Sequence, residues 1–120
     1  MTKLVPYREA YASEEVAADF KNVIMYGKTG IGSRYFFFRK LLTTYYLPFS
    51  EVVNAYRRVQ LVSCGACTAG DHLNMQMVVV ELKDGTSVVS DISGEKQAEI
   101  VIEAIKALGI PVKAPNREQA

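Results

Sequence analysis

The chain has few of the residues from which catalytic and disulfide-rich proteins are built: no tryptophan, one histidine and two cysteines among 120 residues. Two cysteines are too few for the disulfide framework of small secreted domains, which predicts a reducing, cytoplasmic location. Any Ser-His-Asp or Cys-His arrangement would have to use His72, and Cys64 and Cys67 lie too close to it for a well-separated nucleophile and base. The sequence therefore predicts that the protein is not an enzyme.

An excess of charge and long apolar runs are also missing. Fourteen basic and thirteen acidic residues give a net charge of +1, so no overall field attracts nucleic acid or an anionic membrane. No apolar run approaches the roughly 20 residues that cross a bilayer, and the first residues lack the apolar stretch of a secretory signal. We therefore expect no membrane span and no leader segment.

What the chain does contain is the composition of one globular domain. Hydrophobic residues make up 49% of the 120 residues and charged residues 22%, so residues 1–120 are predicted to form a single domain. Its core is expected over about residues 22–110. A helical segment at 13–20 precedes this core, and a polar tail at 113–120, expected to fray, follows it.

Alternation of apolar and polar residues predicts a domain built mainly from β-strands. The most distinct pair, Met75–Leu82 and Thr86–Ile92, flanks Lys83-Asp84-Gly85, whose glycine suits a tight hairpin turn. Ser63–Asn74 contains both cysteines and is predicted to be a loop. The other predicted strands are Val23–Tyr26, Ile31–Arg39, Tyr45–Leu47 and Tyr56–Val62.

A helix is predicted at Glu95–Leu108, because apolar residues recur there at helical spacing and Gly109 follows as a cap. A shorter helix is predicted to begin at Ser13 and to end at Phe20. The sequence thus predicts an α+β fold: a curved antiparallel sheet of about six or seven strands, capped by the C-terminal helix and preceded by a short N-terminal helix.

In this order of elements the chain resembles the bacterial pleckstrin-homology-like domains. Tyr46-Leu47-Pro48-Phe49-Ser50-Glu51-Val52 matches a segment that in those domains leads into the next strand, and Asp84-Gly85 matches their hairpin turn. The resemblance covers roughly residues 22–110. It implies a strongly bent antiparallel sheet, or partly open barrel, with one end closed by the helix. Many bacterial members are uncharacterised and tend to form oligomers.

The resemblance does not extend to lipid recognition. Eukaryotic members that bind phosphoinositides carry a basic residue in the first strand and a basic-x-Arg pair in the second. Lys28 and Arg34 are candidates for the basic positions, but position 36 is Phe, so the paired basic residue is missing. Phosphoinositide binding is therefore not predicted.

The concentration of aromatic residues is the feature that suggests a function. Adjacent strand residues point to opposite faces, so some of these rings must lie on an outer face, where exposed aromatics mark contact surfaces. We therefore predict a binding or assembly module that acts through self-association, as a homo-oligomer, or through contact with a protein partner. The candidate interface residues are Tyr35, Phe37, Tyr45, Tyr46, Arg57 and Arg58.

A small metal or thiol-redox protein is the main alternative. Cys64-Gly65-Ala66-Cys67 with His72 has a spacing that allows metal binding or a redox disulfide. A structural zinc site normally needs four ligands and there is no second C-x-x-C, while Gly70 and the strand that follows oppose the helix that a redox motif needs. No cofactor is therefore predicted.

Two further patterns concern phosphate and nucleic acid. Gly27-Lys28-Thr29 is predicted to be a glycine-rich β-turn, because the phosphate loop needs glycine where Asn22 stands. Arg57 and Arg58 could contact nucleic acid, although their strand alternates and they face opposite ways. With acidic and basic residues nearly balanced, nucleic-acid binding is the weakest of the alternatives.

Overall fold

A computed structural model describes residues 4–9, 15–63 and 72–119 of the chain. Two helices are described, α1 (Val16–Lys21) and α2 (Glu95–Ala107), together with a 3-10 turn at Phe49–Glu51. The strands in these ranges are β1 (Leu4–Pro6), β2 (Met25–Tyr26), β3 (Thr29–Ile31), β4 (Tyr35–Lys40), β5 (Thr43–Pro48), β6 (Val52–Ser63), β7 (His72–Leu82), β8 (Ser87–Ile92) and β9 (Asn116–Gln119).

The strands form two sheets. The first sheet has the order β1-β5-β4-β3-β2, and the second has the order β8-β7-β6-β9. Neighbours pair antiparallel except at one edge of each sheet, where β1 runs parallel to β5 and β9 runs parallel to β6. The α+β class is confirmed. The two sheets are not closed into a barrel, and this differs from the single curved sheet or partly open barrel that the sequence predicts.

One hydrophobic core joins both sheets to α2. Phe36 and Phe38 on β4 share this core with Val78 and Val80 on β7, and all four side chains are buried. The helix contributes its apolar stripe: Ala98, Val101 and Ile105 are 0% exposed. Burial of this stripe confirms the predicted amphipathic helix, and removal of so much apolar surface from water is the main stabilising term of the fold.

A second, smaller cluster lies on the other face of the first sheet. Tyr35, Phe37 and Tyr46 are buried there against Val16 of α1. Phe20 of the same helix packs on Phe37, with 5.0 Å between the ring centroids. The short N-terminal helix is therefore a cover for the outer face of the first sheet.

Asp19 fixes α1 to the turn between β3 and β4. Its carboxylate accepts hydrogen bonds from the backbone amides of Ser33 at 2.8 Å and of Arg34 and Tyr35 at 3.1 Å, and from the Ser33 hydroxyl at 2.8 Å. A Cβ atom at Gly32 would overlap this carboxylate, so a larger residue there would displace the carboxylate from its hydrogen bonds. Partial burial raises the pKa of Asp19, but the hydrogen bonds outweigh it and hold the pKa below its ordinary value.

The β2–β3 hairpin connects the first sheet to the edge of the second. Gly27 and Lys28 form a two-residue turn, as predicted, and the Lys28 amide donates to the Asp91 carbonyl at 3.1 Å. The hydroxyl of Thr29, fully buried, donates to the same carbonyl at 2.8 Å and contacts the Ser90 hydroxyl. Polar groups at this junction are thus satisfied within the chain.

Four segments differ from the sequence-based expectation. β1 lies near the start of the chain, where no element was predicted. The predicted strand Ile31–Arg39 is two strands, because the chain turns at residues 32–34, where the Gly32 amide donates to the Tyr35 carbonyl at 2.9 Å. The predicted loop Ser63–Asn74 is shorter, since β6 continues to Ser63 and β7 begins at His72. The predicted frayed tail, 113–120, contains β9, whose backbone pairs with β6.

Candidate functional site

The hairpin that joins β4 to β5 ends in two exposed leucines. Lys40 pairs with Thr43, so the connection is a two-residue turn made of Leu41 and Leu42. The exposed fraction is 91% for Leu41 and 85% for Leu42. We call this pair the leucine tip. Two adjacent leucines with almost their whole side chains in water contribute no apolar burial to the fold.

The backbone of the leucine tip is also unfavourable for leucine. Leu41 has a φ of 55°, in the left-handed region. Two-residue hairpin turns normally place Asn, Asp or Gly at such a position, because an L-residue with a bulky side chain loses about 1–2 kcal/mol there. Neither packing within the described residues nor turn geometry therefore accounts for the two leucines.

Two basic side chains stand directly beside the leucine tip. Arg39 and Lys40 end β4 and are exposed, and the Arg39 Nε atom donates to the Leu41 carbonyl at 3.3 Å. Neither residue has an ion pair with an acid among the residues that the structure describes. The tip is therefore an apolar projection with two uncompensated positive charges at its base.

A pocket of about 300 Å³ lies between α2, β6 and the segment that leads from residue 112 to β9. We call it the helix pocket. Apolar side chains of the helix and of this segment line it together with charged side chains. The lining residues are Arg57, Glu99, Ile102, Glu103, Lys106, Val112, Lys113, Ala114 and Pro115.

Arg57 lines the helix pocket and is largely buried. Its side chain is only 13% exposed, and its Nη2 atom lies 3.6 Å from Oε1 of Glu95. The Nε atom donates to Oε1 of the buried Gln76 at 2.8 Å. The guanidinium is therefore held in place by a carboxylate on α2 and an amide on β7.

The two lysines of the helix pocket are also paired with acids. The Lys106 Nζ atom lies 3.4 Å from Glu103 Oε1, and the Lys113 Nζ atom lies 2.6 Å from Glu81 Oε1. The hydrogen bond from Lys113 lowers the pKa of Glu81 below its ordinary value. Glu99 is exposed and has no ion pair within the described part of the chain. Its carboxylate is thus the uncompensated charge at this opening.

Most of the aromatic residues predicted to form an interface are buried in the structure. Tyr35, Phe37 and Tyr46 are buried beneath α1, with exposed fractions of 4%, 0% and 4%. Tyr45 is half-buried and stacks on Phe38 with 5.6 Å between ring centroids. These rings do lie on both faces of the sheet, as expected from alternation. The expectation that the outer rings are exposed is corrected, because a helix of the same chain covers them.

The predicted basic residues are dispersed rather than gathered. Arg57 faces α2, whereas Arg58 is half-buried and lies on the opposite face of β6. Lys28 and Arg34 precede and follow β3, at its opposite ends, and pair with Asp91 and Glu15 at 3.8 Å and 2.9 Å. The fold brings none of these four cations together as one basic surface.

The cysteine cluster cannot be compared with the fold. Cys64 and Cys67 lie outside the described residues, and of His72 only the backbone, at the start of β7, is described. Within residues 4–9, 15–63 and 72–119 there is no group of three or more His, Cys, Asp or Glu side chains that could hold a metal ion. In the same ranges no helix has the length and apolar character needed to cross a bilayer.

The leucine tip was not predicted from the sequence. The predicted strands end at Arg39 and resume at Tyr45, which leaves residues 40–44 without an element. The available signal was a pair of leucines between two strands, where a turn residue is expected. Comparison with known proteins adds no further guide: no protein-family model matches the chain, and no curated protein is similar to it.

Proposed function

We propose that the chain is a non-enzymatic assembly module that self-associates through its leucine tip. The observation that carries this proposal is the 91% and 85% exposure of Leu41 and Leu42 on a turn whose backbone disfavours leucine. Leu41 and Leu42 are adjacent and form a contiguous apolar projection, whereas exposed apolar residues that occur singly need no such explanation. In self-association, a second copy of the chain is the partner that covers these leucines, and no ligand or reaction centre is needed.

The expected association is weak. Full burial of one leucine side chain is worth roughly 1.5–3 kcal/mol, whereas lost translational and rotational freedom costs at least about 4 kcal/mol. Two leucines therefore do little more than offset that cost, and the remaining stabilisation has to come from neighbouring polar and charged contacts. The assembled form is populated at high protein concentration.

The test is sedimentation velocity from the micromolar to the millimolar range. Wild-type protein is expected to show a rising weight-average mass, and the double variant Leu41→Asn/Leu42→Gly is expected to remain a monomer. Asparagine adopts the left-handed backbone of position 41 more readily than leucine does, so this variant should unfold thermally at about the same temperature as the wild type. Loss of association then cannot be attributed to loss of the fold.

Ile24→Asn is the matched control, because Ile24 is an exposed apolar residue, 66% accessible, that is not part of the hairpin. It is expected to associate like the wild type. A wild-type protein that sediments as a 13.3 kDa monomer throughout the range would contradict the proposed function. So would association that persists unchanged in the tip variant.

A further inference from the structure

We infer that the leucine tip of one copy docks into the helix pocket of a second copy. This inference rests on the proposed self-association and names the surface that receives the tip. It makes the contact heterologous, because the two partners use different surfaces.

The pocket and the tip match in size and apolar character. A volume of about 300 Å³ is at the small end for a ligand site, so the pocket suits a pair of side chains better than a large molecule. Its apolar lining comes from Ile102, Val112 and Pro115. The tip is a narrow two-residue projection, and its side chains lie in water within their own chain.

Charge also matches across the proposed contact. Arg39 and Lys40 at the base of the tip lack acidic partners among the described residues, and Glu99 at the pocket lacks a basic one. Arg57, Lys106 and Lys113 each face a carboxylate already. The uncompensated charge at the pocket is therefore negative, opposite in sign to the charge beside the tip, as specific interfaces require.

The same charges disfavour the simplest alternative, a symmetric contact between two tips. A two-fold tip-to-tip dimer would bring Arg39 and Lys40 of both copies together, and like charges across an interface oppose association. The three cations of the pocket lining, Arg57, Lys106 and Lys113, would attract a free anionic ligand, but each already faces a carboxylate. Glu99, which has no ion pair among the described residues, would repel such a ligand. A cationic, apolar hairpin from another copy fits the pocket better than either.

Because each copy carries both a tip and a pocket, association can continue from copy to copy. The result is a closed ring if the rotation between neighbours returns to the start, and an open filament if it does not. Growth of such an assembly stops at a copy that lacks either the tip or the pocket. Variants that lack one of the two surfaces therefore test the inference.

The experiment combines two variants, each with one surface removed. Leu41→Asn/Leu42→Gly lacks the tip and keeps the pocket. Ala114→Arg keeps the tip and fills the pocket, at an exposed position of its lining. For each variant alone, the association constant is expected to fall by about 30-fold or more, which is the effect of removing an interface hot spot. Their mixture is expected to sediment as a one-to-one dimer with no larger species.

Charge reversal gives an independent measurement. Lys40→Glu and Glu99→Lys are each expected to weaken self-association by about threefold to tenfold, as a rim charge does. An equimolar mixture is expected to recover association, because residue 40 of each variant meets a residue 99 of opposite charge in the other variant. Lys83→Glu, at an exposed position in the turn between β7 and β8 and outside the pocket lining, is the matched control and should have no such effect.

The outcomes separate the two proposals. If the tip variant loses association while Ala114→Arg and Glu99→Lys keep it, the inference is overturned and the proposed function stands. The inference also fails if either mixture does not regain association. A wild-type monomer at every concentration overturns both. If Ala114→Arg does not fold, Glu99→Lys and its mixture with Lys40→Glu decide the question.

Discussion

Asp19 shows how a single carboxylate can define a local structure in this chain. Its side chain accepts four hydrogen bonds, three of them from successive backbone amides, and thereby holds α1 against the turn that separates β3 from β4. Hydrogen bonds to a charged acceptor are stronger than neutral ones. The aromatic cluster under α1 therefore depends on the ionised form of this residue.

Asp19→Asn is expected to lower the free energy of unfolding at neutral pH by about 1 kcal/mol, because an amide oxygen replaces only part of the carboxylate's acceptors. The pKa of Asp19 is lower in the folded than in the unfolded state, so its stabilisation is complete above the unfolded pKa. It is lost as pH falls through the folded pKa. Urea unfolding at several pH values should show the variant and the wild type converging in acid.

Glu9→Gln is the control for the loss of a carboxylate, because Glu9 is exposed and accepts no hydrogen bond within the described residues. Its free energy of unfolding at neutral pH should match that of the wild type. An Asp19→Asn variant that is as stable as the wild type at neutral pH would show that the carboxylate does not anchor α1.

At the scale of elements, the β2–β3 hairpin is joined to β8 by buried polar contacts. Thr29→Val keeps the shape of the side chain but removes the hydroxyl, which leaves the Ser90 hydroxyl with one partner fewer. We expect a loss of about 1–3 kcal/mol in the free energy of unfolding. Chemical denaturation followed by circular dichroism measures it.

Thr29→Ser removes the methyl group and keeps the hydroxyl, so it distinguishes the contributions of these two groups to stability. It keeps the donor to the Asp91 carbonyl and should cost less than Thr29→Val if hydrogen bonding dominates. The reverse order, with serine the more damaging change, would show that packing of the methyl group matters more at this junction.

Sequence periodicity predicted the elements whose burial is local. The stripe of α2 and the β7–β8 hairpin were found because their own residues carry the full signal. β1 and β9 were missed because each is a strand only by pairing with a distant segment. The turn at residues 32–34 was missed for a related reason, since Asp19, on another element, stabilises it.

Less of the candidate site than of the fold could be predicted from the sequence. Alternation correctly indicated that the aromatics occupy both faces of their sheet, but no local pattern shows that α1 covers the outer face. The helix pocket combines residues from β6, α2 and the segment after it, so it exists only once the fold has brought them together. The leucines of the tip were visible in the sequence, but their exposure was not.

At the scale of the whole molecule, the shared core predicts that the described domain unfolds as one unit. Phe38 on the first sheet is 1% exposed and belongs to the same cluster as Val101 of α2. Phe38→Ala should therefore lower the free energy of unfolding by about 3–5 kcal/mol. Near-ultraviolet and far-ultraviolet circular dichroism should still give one coincident transition.

Two separated transitions, with only one of them moved by Phe38→Ala, would contradict this cooperativity. Val89→Ala is the matched control, since Val89 is 39% exposed on an edge strand and its truncation should have a much smaller effect.

The parallel edges of the two sheets have a kinetic consequence. Leu4–Pro6 has to find Thr44–Tyr46, and Asn116–Gln119 has to find Arg58–Leu61, before either sheet is complete. Such distant pairings lose loop entropy before they gain stabilisation. The chain should consequently reach its native state slowly for its size, and a nascent copy cannot finish its second sheet until residue 119 has left the ribosome.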